Sequence, residues 1–118
     1  MTWHLRVTRT SVDGICFLRL DGRLGTAASG ELIERVVAAI NEGERRLLVD
    51  LSGVDYASSA GLLALDAIAG RTYVAGGTLV LCGLTEPVRW VMELAGLLPQ
   101  FTIEPTAVDA LARLQQSA

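Results

Sequence analysis

Two nearly continuous apolar runs, Leu47-Leu48-Val49-Asp50-Leu51 and Thr78-Leu79-Val80-Leu81-Cys82, stand on either side of a helical pattern. Consecutive rather than alternating apolar positions mark strands covered on both faces, as in the interior of a parallel sheet. Between them Leu62, Leu63, Leu65, Ile68, Ala69 and Tyr73 support a helix from about Ser59, stopped by Gly76-Gly77. A strand, helix, strand order of this kind belongs to α/β layers.

The flanking sequence extends the same alternation. Residues Leu5 to Thr10 and Ile15 to Leu20 have strand content, and Ser11-Val12-Asp13-Gly14 supplies turn residues, which predicts an N-terminal β-hairpin. Ala28, Leu32, Ile33, Val36, Val37 and Ile40 recur at helical spacing, with Gly43 placed to end that helix. Thr85-Glu86-Pro87 reads as an N-cap followed by a helix-compatible proline, opening a helix that carries Val88, Val91, Met92 and Leu94. Phe101-Thr102-Ile103 predicts a short last strand, and Val108, Leu111 and Leu114 a helical tail. The expected architecture is one α/β domain over residues 1–118: a hairpin, then alternating helices and strands, in a mixed sheet with helices packed on it.

Composition narrows the function. With 51% hydrophobic residues, 19% charged and a net charge of −3, the chain is neither disordered nor basic enough to track a phosphate backbone, so no direct nucleic-acid binding is expected. No stretch approaches the roughly 18 apolar residues of a spanning helix, and the N-terminus lacks a signal-peptide core, so no membrane insertion and a reduced cytoplasmic location are expected. Cys16 and Cys82 fall in apolar strands and match neither a metal nor a redox spacing, which makes them buried structural thiols. Trp3 and Trp90 read as core residues, and Arg45-Arg46 as a solvated turn.

Chemistry concentrates between the two apolar strands, at Asp50-Leu51-Ser52-Gly53-Val54-Asp55-Tyr56-Ala57-Ser58-Ser59-Ala60-Gly61-Leu62. Strand pattern gives way there to hydroxyl residues at a helix start. The first N–H groups of a helix lack internal partners and the dipole is positive, so a phosphate on such a serine is electrostatically welcome. A serine there also serves simply as an N-cap, worth about 1 kcal/mol. Asp50, late in a strand, and Asp55, in the following loop, have no third ligand or histidine beside them, so no metal is expected. Gly53 and Gly61 do not make a P-loop, because the Lys-Ser/Thr ending is missing. His4, the sole histidine, lies near the N-terminus and completes no nucleophile–base set, so neither catalytic residues nor a cofactor is expected.

Asp50 to Val54 followed by Tyr56 to Leu62 resembles the signature of STAS domains, the sulfate-transporter and anti-sigma-factor-antagonist family. Leu20-Asp21-Gly22-Arg23-Leu24 resembles the family's early L-x-G-x-L element, and Leu81-Cys82-Gly83-Leu84 through Leu94-Ala95-Gly96-Leu97 its closing strand-helix unit. Aligned on Gly61-Leu62, Ser59 matches the phosphorylated serine of the bacterial antagonists, Ala60 the small residue after it, and Ser58 stands where an aspartate is usual. Gly25 stands where an acid often follows the early element.

The resemblance implies a non-enzymatic binding module. Its unphosphorylated form would sequester an anti-sigma factor with serine-kinase activity, and a serine phosphatase would restore Ser59. Gly25, Thr26, Asp55, Tyr56, Ser58, Ala60, Gly61 and Leu62 would form the partner contact. An alternative is a STAS scaffold subunit in a stress-signalling or membrane-transport assembly, and a third is a phosphotransfer protein passing its phosphoryl group onward.

Overall fold

The computed structural model describes residues 5–116; the expectations for Trp3 and His4 lie outside these. The hairpin is formed by β1 (Arg6–Val12) and β2 (Ile15–Leu24). Its turn is only Asp13-Gly14, both with positive φ, the backbone that matches a two-residue connection to the twist of its strands. There follow α1 (Thr26–Asn41), β3 (Arg46–Ala57), α2 (Ser59–Val74), β4 (Thr78–Cys82) and α3 (Glu86–Leu94). A single 3-10 turn, Leu98–Gln100, leads to β5 (Thr102–Glu104), and α4 (Ala107–Gln116) is the last element.

The five strands lie in the order β1-β2-β3-β4-β5. β1 is antiparallel to β2, and each later neighbour is parallel, so the sheet is mixed as expected. α1, α2 and α3 cover one face through Leu32, Val36, Leu65, Ile68, Val88 and Met92, packed on Leu18, Leu47, Val49, Leu51 and Leu81. Among the described residues the opposite face is covered by α4, whose Ala110 and Leu114 meet Ile15, Leu48, Val80 and Cys82. Alternation along β3 therefore sends Leu47, Val49 and Leu51 one way and Leu48 the other, which is why its sequence is apolar at consecutive positions.

The principal departure concerns β3. The expected strand stops near Leu51, but the observed one runs to Ala57, so Asp55 is a strand residue and not a loop residue. β4 gives β3 no partner beyond Asp50, whose pair is Cys82. The ladder continues because β2 also runs past Leu20, pairing Gly22, Arg23 and Leu24 with Val54, Tyr56 and Ala57 through two local register shifts. Two paired strands thus project beyond the rest of the sheet.

Two other expectations are corrected. Trp90 is 62% exposed and belongs to neither hydrophobic cluster. The helix turns Val88 and Met92 inward, and a residue midway between them necessarily faces solvent. Arg46 is not a solvated turn residue. It opens β3, and its guanidinium donates to the carbonyls of Leu114 (3.2 Å) and Asp13 (3.1 Å), joining α4 to the hairpin turn. Arg45 does stay exposed, donating to the Ile40 carbonyl at 3.0 Å near the end of α1.

Candidate functional site

The projecting ends of β2 and β3 each turn directly into a helix, so the starts of α1 and α2 lie side by side at one edge of the molecule. The junction is held by backbone. Ser58 N–H donates to the Leu24 carbonyl at 3.0 Å, which docks the residue before α2 on the last residue of β2. Gly61, in the first turn of α2, packs so tightly on the same residue that a Cβ there would stand 2.2 Å from the Leu24 carbonyl oxygen.

The two serines have separate jobs. Ser58 is the N-cap in extended conformation, half-buried, and its Oγ accepts from Gly61 N–H at 3.2 Å. One otherwise unpaired helix donor is satisfied in this way, and the Ser58 hydroxyl is committed to the fold. Ser59 is the first helical residue and is exposed. Its hydroxyl is the one open to chemistry.

Of the remaining predicted contact residues, Asp55, Tyr56 and Thr26 are exposed, while Gly25 and Ala60 are half-buried. Gly61 and Leu62 are buried, with Leu62 in the main core, so they set the height of the α2 start and do not present a surface. Gly25 caps α1 by position without a side chain, and Ser29 Oγ donates back to its carbonyl at 2.7 Å. The sequence reading missed Arg23. Its guanidinium lies 3.9 Å from the centre of the Tyr56 ring, and together they wall an open groove of about 420 Å³ lined also by Gly25, Thr26, Ala27 and Ala28. Arg23 and Tyr56 are cross-strand partners, a relation that requires the register of β2 on β3 and has no local signal. Leu63, one turn beyond Ser59 on the same helical row, is 70% exposed and was also missed.

Thr85 precedes α3 as expected, but its hydroxyl does not cap the helix. It donates to the Val54 carbonyl at 2.7 Å and fastens the start of α3 to the projecting part of β3. This gives Val54, beyond the reach of β4, a hydrogen-bond partner that the shorter strand cannot provide.

Asp50 lies below this edge and is 5% exposed. It accepts from Ser52 N–H at 2.9 Å and stands 3.7 Å from an Arg19 nitrogen. Burial first, and then the charge and hydrogen bonding of Asp50, push the Cys82 thiol up to about 12. The unfolded thiol loses its proton near 9.0, so between that pH and about 12 the unfolded chain binds fewer protons than the native one. Native stability is therefore expected to fall as pH rises above about 9, by up to about 1.4 kcal/mol per pH unit for this group. Urea melts of the protein and of Cys82→Ala between pH 8 and 10.5 check this: the variant should lose part of the decline, and parallel curves would exclude Cys82 as its source.

No helix among the described residues is long and apolar enough to cross a membrane. The family model for the STAS domain matches residues 6–110. BtrV of Bordetella bronchiseptica, which bears a provisional name of anti-sigma factor antagonist, is 35% identical over 108 residues, covering 92% of this chain and 93% of BtrV. A crystal structure of a Thermotoga maritima protein, described with the same provisional name, superposes with a TM-score of 0.87 at 22% identity over 93% of this chain and 95% of that one. The phosphorylated form of the Bacillus cell fate determinant SpoIIAA gives a TM-score of 0.70 at 18% identity over 93% and 98%. These two likenesses are of fold. With the family model spanning the sheet from the first residue of β1 to the middle of α4, and the junction of β3 with α2 built as described, the chain belongs to the STAS domain family.

Proposed function

We propose that the chain is an anti-sigma factor antagonist, controlled by phosphorylation at Ser59. The observation that carries this reading is the division of labour between adjacent serines. Ser58 is engaged as cap, whereas Ser59 is exposed at the first helical position, where backbone N–H groups and the dipole favour an anion. The likeness to BtrV supports the same class.

In this reading the unmodified edge, comprising Gly25, Thr26, Asp55, Tyr56, Ser58, Ser59 and Ala60, binds an anti-sigma factor that is also a serine kinase. The sigma factor is thereby released. The kinase supplies ATP and catalysis, so this chain is substrate and competitor and turns nothing over. A phosphate on Ser59 adds about −1.5 to −2 charge to this edge and must be desolvated in any complex. The fold tolerates it, because Ser59 contributes no side chain to the core and Ser58 retains the cap. A serine phosphatase reverses the change.

The test is incubation with the cognate anti-sigma kinase and ATP, peptide mapping, and calorimetric titration of both forms. Modification is expected at Ser59 and absent in Ser59→Ala, with affinity reduced about tenfold or more by the phosphate. Modification confined to Ser58, or equal affinity of the two forms, overturns the reading.

A further inference from the structure

The exposed tryptophan on α3 stands at the centre of a second surface. Val88 and Met92 face the core, and helical spacing sets Glu86, Trp90 and Glu93 on adjacent rows of the opposite side, flanked by Arg89 and Leu94. An open groove of about 460 Å³ lies there, lined by Glu86, Pro87, Arg89, Trp90 and Glu93. Trp90 contributes to neither hydrophobic cluster, so its large ring is not kept for packing. None of the three charged residues forms an ion pair within 4.0 Å among the described residues, although Arg89 is at pairing distance in sequence from both acids.

We propose that this groove is a docking site for an arginine-bearing segment of a partner protein, with the guanidinium stacked on the Trp90 ring and hydrogen-bonded to Glu86 or Glu93. The argument is charge complementarity. A tryptophan face is the best aromatic acceptor for a cation, and a planar guanidinium can stack while its edge donates to a carboxylate. Two carboxylates flank the ring against one guanidinium, and the net charge of −3 favours approach of a basic segment. Leu94, 68% exposed on one flank of this face, gives an apolar neighbour of the arginine a place to rest. Arg89 also lines the groove, and its single positive charge is outweighed there by the two carboxylates. Truncating Trp90 should therefore remove binding and leave the fold intact.

The proposal stands apart from phosphorylation of Ser59. Its probe is a short amphipathic peptide bearing two arginines, titrated into the intact protein while the Trp90 indole N–H is followed by NMR, assigned by its loss in Trp90→Phe. A citrulline counterpart keeps the shape and removes the charge. The expected result is a saturable shift of the Trp90 signal with the arginine peptide, at least tenfold weaker with citrulline, and lost in the Glu86→Gln, Glu93→Gln double variant while core amide signals stay in place. The same shift should occur in Ser59→Glu, which separates this site from the switch surface. No saturable shift, equal response to the citrulline peptide, or an unchanged response in the double variant overturns the proposal.

Discussion

Gly61→Ala is expected to destabilise the protein by about 3 kcal/mol, at the upper end of what a single added methyl costs in a packed interior. The new Cβ would meet the Leu24 carbonyl oxygen at 2.2 Å and Leu24 Cγ at 2.9 Å. Neither the backbone oxygen nor the helix turn can step aside independently, because Ser58 N–H is bonded to that same oxygen. The first turn of α2 would have to lift from β2, stretching this bond and unseating Leu62. Gly70→Ala in the same helix is the internal comparison: nothing lies within 4 Å of its would-be Cβ, and relief of glycine's backbone entropy should stabilise by about 0.5–1 kcal/mol. Urea unfolding of both variants should give shifts of opposite sign. Matching shifts would show that Gly61 is not held by close approach.

Leu114→Ala should cost about 3 kcal/mol by cavity formation, but the loss should be local. α4 is 10 residues long, too short to persist by itself in water, and its buried anchors are Ala110 and Leu114. With one anchor truncated, opening of α4 becomes easier than unfolding of the sheet. Amide exchange measured by mass spectrometry should accelerate about a hundredfold across residues 107–116, the factor corresponding to that free energy. Strands β2 and β3 should change less. Uniform acceleration through the sheet would mean that α4 and the main core open as one unit.

Much of this architecture was legible because apolar strands and amphipathic helices declare themselves locally. Leu47 to Leu51 read as a doubly covered strand, and the helix ending near Gly43 ends there, with Glu42 as its C-cap. What the local pattern could not carry was pairing at a distance. β3 continues to Ala57 only because Leu24 and its neighbours are there to receive it, and residues 52–57 alone are too polar and glycine-marked to suggest a strand. Arg23 escaped notice for the same reason, since its significance comes from Tyr56 across the ladder.

Trp90 was a different failure. Its size suggested burial, and Leu94 was counted in the same apolar pattern, yet the four-residue spacing of Val88 and Met92 marks the inward face of α3, and both Trp90 and Leu94 fall outside it. Spacing was the better guide there than residue type. The serine pair was legible by position, but the assignment of cap to Ser58 required the hydrogen bond to Gly61.

The order β1-β2-β3-β4-β5 repeats the order of synthesis. Each strand can therefore join an edge already made, without waiting for a later strand to be inserted inside it. The three helices of the main face arrive between strands and can cover that face as it grows. Among the described residues the other face has no such escort, because Ile15, Leu48, Val80 and Cys82 receive their cover there from residues 107–116. A nascent chain halted before α4 presents this apolar strip to solvent, and that interval is when chaperone capture or association between chains has its opening.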